Sequence, residues 1–276
     1  MATKTYEPNK YLKLGVKIWV EMFQELMECR ELIWRLFVRN LTAKYKQAAF
    51  GYVWVLITPF IAIGTFMFLN RAGILNIGDT DMPYPLFALI GLSVWQLFST
   101  GLTNGCNSLV SAGDMISKIN FPREVLVFSS MAQALFEFMV KYILILIGFI
   151  VFQWMPSWGI IFFPLAVFPL FILTLGLSLI LSLINGVVRD TVNVVTLLTT
   201  FLMFLTPVLY PISVEKSIFF LLNPLAPLID APRNLIIYGY IQEPRSFISA
   251  SGLSVLIFFM AWRLFHLVET KIPERM

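Results

Sequence analysis

The chain has 276 residues, 58% hydrophobic and only 13% charged, with a formal net charge of +4 and a mean hydropathy of +0.81. That composition excludes a soluble globular domain, and several long apolar runs mark an all-α integral membrane protein. Cys29 and Cys106 lie far apart on different segments, which argues against a disulfide, and the single histidine, His266, has no neighbour at a metal-ligand spacing.

Met1 to Lys13 is polar, with Lys4, Lys10 and Lys13, so no cleavable leader is expected. Residues Leu32 to Lys46 read as a basic amphipathic helix. Glu31, Arg35 and Arg39 fall in one row, while Ile33, Leu36, Phe37 and Leu41 lie on the other side. With Lys44 and Lys46 completing its charge, such a helix rests in the headgroup layer, apolar face down. Phe50 to Leu69 follows at once, holds no charged residue and is long enough to cross a bilayer.

Hydropathy places six candidate spans, roughly Phe50–Leu69, Pro85–Val110, Val125–Trp154, Gly159–Ile184, Val192–Tyr210 and Phe247–Val268. The expected organisation is an N-terminal arm over 1–49, a transmembrane domain over 50–268 and a tail over 269–276. Cations crowd one side: the arm, then Lys118 and Arg123, Arg189, and finally Arg263, Lys271 and Arg275. The other side has only Arg71, Lys216, Arg233 and Arg245, so both termini are expected in the cytoplasm.

Span two carries a polar stripe, Ser93, Gln96, Thr100, Asn104, Asn107 and Ser111, stepping by three or four. Span five repeats it more briefly with Asn193, Thr196 and Thr200. Two readings are open. The stripe is close helix packing helped by Gly101 and Gly105, or it is a hydrated wall suited, with Trp95 and Phe98, to hydroxyl-rich cargo. Span three holds Glu137 and Lys141 one turn apart, expected to neutralise one another. With no further carboxylates or histidines at that depth, proton or sodium coupling is not expected. No phosphate loop, nucleophile elbow or zinc-protease helix occurs either, so no catalytic residue or metal site is assigned, and any energy must come from a separate ATPase subunit.

The loop Asp114 to Arg123 offers a surface for such a subunit: Asp114, Lys118, Phe121 and Arg123, with Met115, Ile116 and Ile119 expected exposed and Pro122 opening the next helix. From Pro211 to Pro244 the chain is too interrupted to span yet too apolar for a solvated loop, which reads as re-entrant helices over about 213–240, with Asp230 and Arg233 as polar contacts.

Several stretches recur in order and spacing in one family: Arg39 to Gln47 with Gly51-Tyr-Val-Trp54 and Pro59, Ile119 to Arg123, Val188 to Asp190, Phe204 to Pro211 and Leu222 to Leu225. Over about residues 30–270 the chain resembles the permease subunit of bacterial ABC transporters that export polysaccharides such as O-antigen, capsule and teichoic acid. The family often has two adjacent basic residues before Phe-Pro-Arg; here Ser117-Lys118 supplies one. The resemblance implies a homodimer in the inner membrane carrying two ATP-binding subunits, which hold the ATP and magnesium, this chain binding no cofactor. It implies ATPase contacts through Arg35, Arg39, Lys44 and Lys46 of the amphipathic helix and through the 114–123 loop, and an outer gate of two re-entrant helices. Spans one and five would border the path of a lipid-linked glycan, adding Tyr52, Trp54, Phe60, Phe66, Phe204 and Tyr210 to Gln96, Thr100, Asn104, Asn193 and Thr196. No nucleic-acid partner is implied. Rival readings are an exporter of another cargo (capsule, teichoic acid, a lipid or a drug), a membrane enzyme acting on lipid-linked sugars, for which Asp79 and Asp81 are the only close outer carboxylates, and a passive channel or scaffold.

Overall fold

A computed structural model describes residues 16–46, 57, 60–61, 63–65, 67–68, 80–119, 121–211 and 223–269. The described residues are helical and contain no strand. The helices are α1 (Val16–Glu28), α2 (Arg30–Lys46), α3 (Tyr84–Asn107), α4 (Gly113–Lys118), α5 (Glu124–Val151), α6 (Phe163–Val187), α7 (Thr191–Phe204), α8 (Leu225–Tyr238) and α9 (Pro244–Val268). Three of them, α3, α5 and α9, and the helical stretch Trp158–Val187 that contains α6, are long and apolar enough to cross a membrane, while α7 is apolar but shorter. In the order named, the four long helical stretches overlap the expected spans two, three, six and four, and α7 falls within the fifth; most of the first expected span lies outside the described residues.

Helix ends follow local chemistry. Pro85 sits in the first turn of α3, where its missing N–H removes no helical bond. Pro122 does not open α5 as expected: Arg123 is the N-cap and Glu124 the first helical residue, a carboxylate at the positive end of the helix dipole. The far end of α5 is a Schellman closure: Trp154 N–H donates to Phe149 carbonyl (3.2 Å) and Gln153 N–H to Ile150 carbonyl (3.3 Å), with Gln153 at φ 51°. The Phe149 and Trp154 rings stack at 5.7 Å as the accompanying apolar contact. The stop of α8 uses Gly239 at φ 82° for the same left-handed turn.

The centre of the bundle is α6, flanked by α9, α3 and α8. Its buried Thr174, Ser178 and Ser182 form one face at four-residue spacing. Facing Gly101 and Gly105 of α3 leave room for them: a Cβ at Gly105 would fall 2.4 Å from Ser178 Oγ, and one at Gly101 3.0 Å from Thr174 Cγ2. The two backbones therefore approach closely, as small residues permit in a membrane. Asn185 then ties three elements, its amide donating to Cys106 carbonyl (3.2 Å) and its oxygen accepting from Val192 N–H (3.3 Å).

One end of the bundle, hereafter the lower end, carries α1, α2 and α4 on a second apolar cluster built from Met22, Leu36, Leu109, Val125, Leu179 and Phe265, among others. Helix α1 was not anticipated from sequence. Its Ile18 and Met22 are buried, and Trp19 meets Phe259 (5.4 Å) and Trp262 (6.1 Å) of α9 edge-on. Helix α5 has 28 residues, about 42 Å at 1.5 Å per residue. That exceeds a hydrocarbon core of about 30 Å by roughly two turns.

Candidate functional site

Between α3 and α7 lies an open groove of about 330 Å³ lined by Trp95, Ser99, Thr100, Thr103, Asn104, Thr196, Thr199, Thr200 and Met203. The two polar stripes therefore meet. Because successive helix residues turn by about 100°, Gly101 and Gly105 face α6 while Thr100 and Asn104 face the groove. Close packing and a polar groove lining thus lie on different faces of one helix.

The hydroxyls of Thr103, Thr196, Thr199 and Thr200 donate to carbonyls of Ser99, Val192, Thr196 and Thr196 on their own helices, at 2.8–3.0 Å. Their lone pairs remain as acceptors toward the groove. The Asn104 amide adds a donor, and no side-chain hydrogen bond engages Thr100 or Asn104 among the described residues. The groove is thus uncharged and offers both hydrogen-bonding senses, with the largely buried Trp95 at its margin. Gln96 and Asn193 lie beside this lining rather than in it. Phe98 is buried in the main core, not on the groove. Phe60 and Phe204 are exposed, and Tyr210 donates its hydroxyl to the Phe204 carbonyl. Tyr52, Trp54 and Phe66 lie outside the described residues.

At the lower end, α2 has the expected two faces: Leu36, Phe37 and Leu41 are buried, and Arg35 reaches exposed Glu31 at 2.6 Å. Phe37 packs edge-on against Phe136 of α5 at 6.0 Å, and with Leu41 it contacts Ala132 and Val140. Helix α2 therefore crosses α5 some two turns above its start. Lys44 Nζ stands 2.7 Å from Glu137 Oε1, with side chains 41% and 7% exposed. The carboxylate thus has a cation from α2 and the Gln133 amide at 3.1 Å in addition to the charge of the expected partner Lys141, buried one turn further on.

Arg39 bonds Asn40 Oδ1 (3.1 Å) and approaches Met115 Sδ (3.8 Å), which joins α2 to α4. Two of the segments proposed to touch a partner thus share one surface. Lys46, Lys118 and Ile119 are exposed there. Met115 and Ile116, expected exposed, are instead half-buried with Phe121 against the second apolar cluster, because α4 folds back onto the bundle. The Asp114 side chain lies outside the described residues. Arg123 is turned inward: its N–H donates to Glu269 Oε2 at 3.1 Å and its guanidinium to the Glu269 carbonyl. Burial pushes the Glu269 carboxyl up to about 7 against the opposing pull of Arg123. Beside it, Trp262 Nε1 donates to buried Glu124 at 2.5 Å. Sequence reasoning missed this cluster, although Glu124 following Arg123 and the Trp262, His266, Glu269 spacing were its visible signs.

At the opposite end, α8 is clamped on both margins. Ser157 N–H and hydroxyl donate to Ile236 and Leu235 carbonyls at 2.9 and 2.7 Å, and Tyr238 donates to Asp81. Asp81 is therefore tied to α8, and Asp79 lies outside the described residues. Arg233, only 1% exposed, donates to Val208 carbonyl at 2.8 Å and lies over the Phe87 ring at 3.8 Å. No group of three or more metal-ligating side chains occurs among the described residues.

Comparison with known proteins agrees with this arrangement. Residues 31–237 match the ABC-2 type transporter family. The O-antigen export system permease protein RfbA of Myxococcus xanthus is 28% identical over 256 residues, covering 89% of this chain and 95% of that protein. The Klebsiella pneumoniae protein of the same name is 29% identical over 212 residues, covering 74% and 79%. The polysialic acid transport protein KpsM of Escherichia coli is 22% identical over 245 residues, covering 85% and 92%. The chain is a member of the ABC-2 type transporter membrane family.

Proposed function

We propose that the chain is the membrane-spanning half of an ATP-driven exporter that moves a lipid-linked polysaccharide of O-antigen type from the cytoplasmic to the outer face of the inner membrane. One observation carries the reading: an uncharged groove of hydroxyls and an amide between α3 and α7, with Trp95 and Met203 at its margin. Sugars present both hydrogen-bonding edges and apolar ring faces, so this lining suits a glycan better than a bare ion or a wholly apolar lipid. The names of the relatives from Myxococcus and Klebsiella favour O-antigen cargo; that of KpsM favours a capsule-type polymer as second reading.

In this reading the chain has six spans, a cytoplasmic arm over 1–49, a membrane domain over 50–268 and a cytoplasmic tail over 269–276. Two copies pair and carry two ATP-binding subunits, which hold ATP and magnesium. The lower end of the bundle is cytoplasmic, as the distribution of cations favours. Nucleotide-driven motion of the partner reaches α4 and α2, whose Arg39 and Met115 lie side by side. Helix α8, 14 residues long, or about 21 Å, is too short to span and acts as part of a re-entrant gate over about 213–240. Candidate contacts with the ATPase are Arg35, Arg39, Lys46, Lys118 and Ile119, which remain exposed. Arg123 and Lys44 hold the α4 and α2 segments to the bundle instead. Deleting the chain while keeping its ATPase should abolish surface glycan and leave the lipid-linked precursor inside. Undiminished surface glycan after deletion would overturn the proposal.

A further inference from the structure

We propose that the crossing of α2 over α5 is a binding site for one anionic phospholipid of the leaflet on which α2 lies. The two helices leave a groove of about 320 Å³ whose walls include Trp34 and Phe37 of α2 and Leu135, Phe136 and Met139 of α5, with Arg30 as its only charged lining residue. The aromatic wall is continuous: Trp34 meets Phe37 at 5.3 Å, and Phe37 meets Phe136 at 6.0 Å.

Three features select the occupant. First, the groove opens into an exposed apolar stripe on α5 that runs through Met139, Ile143, Ile147 and Ile150. That stripe is about 16 Å long at 1.5 Å per residue, close to half of a 30 Å core, so it matches an acyl chain confined to one leaflet. Second, the lining carries one cation suited to a headgroup, Arg30 near the start of α2. Arg30 is exposed, and no carboxylate engages it among the described residues, whereas Arg35 is already paired with Glu31. A guanidinium with free donors fits a phosphate fork. Third, Trp34 in the same lining is 64% exposed, and an indole combines an apolar body with a polar edge suited to the interface. The groove lining is otherwise apolar, which disfavours a soluble anion, because nothing there would hold it once Arg30 is hydrated. The inference rests on the position of α2 at the bilayer surface and is independent of the exported cargo.

The test is native mass spectrometry of the full chain in detergent, supplied with equal amounts of phosphatidylglycerol and phosphatidylcholine. One retained phosphatidylglycerol is expected, favoured over phosphatidylcholine about fivefold, the effect of one cation near an anionic headgroup. Arg30→Gln should erase that preference without loss of folding. Met139→Trp fills the groove and should lower retention of both lipids about tenfold, the loss of roughly one side chain of apolar contact. Equal retention of the two lipids by the wild-type chain would overturn the proposal, as would unchanged phosphatidylglycerol retention in Arg30→Gln. A polyprenyl phosphate that displaces phosphatidylglycerol at equal supply would overturn the identity of the occupant. Failure of export in cells would leave the lipid measurement standing, so the two readings separate.

Discussion

At the scale of single residues, the groups with least freedom sit where two backbones or two charges are forced together. Gly91 of α3 is such a place: a Cβ there would fall 2.0 Å from Val208 carbonyl oxygen and 2.3 Å from the Arg233 guanidinium. The carbonyl is main chain and Arg233 is wholly enclosed, so neither can yield. Gly91→Ala should destabilise the protein by about 1–3 kcal/mol, read as a lowered midpoint in thermal denaturation in detergent. An unchanged midpoint would mean that α8 does not press on α3 as described. Glu269 gives a pH prediction. Its carboxyl rises from an ordinary 4.5 to about 7, so between those values the folded protein holds the proton more tightly than the unfolded chain. Stability from this group is therefore full below about 4.5 and lost as pH rises through about 7. Glu25 from α1, Arg123 and Glu124 at the base of α5, and His266 and Arg263 on α9 belong to the same neighbourhood, so the measurement is a difference. Wild type should lose stability relative to Glu269→Gln as pH is raised from 4.5 to 7.5; a constant difference would refute the assignment. Neither residue was conspicuous in the sequence. A glycine in an apolar span and a glutamate at a span end acquire meaning only from elements far along the chain.

At the scale of elements, α2 was legible and its fastening was not. The row of Glu31, Arg35 and Arg39 opposite Leu36, Phe37 and Leu41 is visible because a helix repeats every 3.6 residues. The Lys44–Glu137 bridge spans 93 positions, and local spacing pointed to Lys141 instead. With Glu137 nearly enclosed, removing Lys44 leaves the carboxylate only the Gln133 amide and the buried Lys141 one turn away. Lys44→Met should therefore be clearly destabilising, and Lys44→Met with Glu137→Gln should recover part of the loss, a coupling of about 1–3 kcal/mol. Additive losses would show that the two side chains do not depend on one another. Helix α1 escaped notice because the arm opens with a polar, lysine-bearing stretch. Ile18, Met22 and Leu26 at four-residue spacing, with Trp19 beside them, were the available signal.

At the scale of the whole molecule, the polar stripes of α3 and α7 were readable singly, and their meeting was not. Periodicity assigns a face to each helix but leaves open which neighbour that face meets. The same limit kept two readings of α3 apart until Gly101 and Gly105 were found against α6 and Thr100 and Asn104 on the groove. Thr196 lines the groove from α7 and donates only to its own helix, so a bulky replacement there need not disturb the core. Thr196→Trp should cut surface glycan roughly tenfold or more by narrowing the passage, while the chain still assembles with its ATPase subunit. Normal glycan at normal protein level would remove the groove from the route.

The overhang of α5 has a mechanical meaning. A rod longer than the oil it crosses is a gauge of thickness: mismatch is taken up by tilt or by stretching the bilayer, at a fraction of a kcal/mol per ångström. Because α2 is riveted to that rod through Phe136 and Glu137, and Glu269 is fastened at its foot, any tilt of α5 is handed to the lower surface of the protein. The thickness of the host membrane thus becomes an input to the transporter.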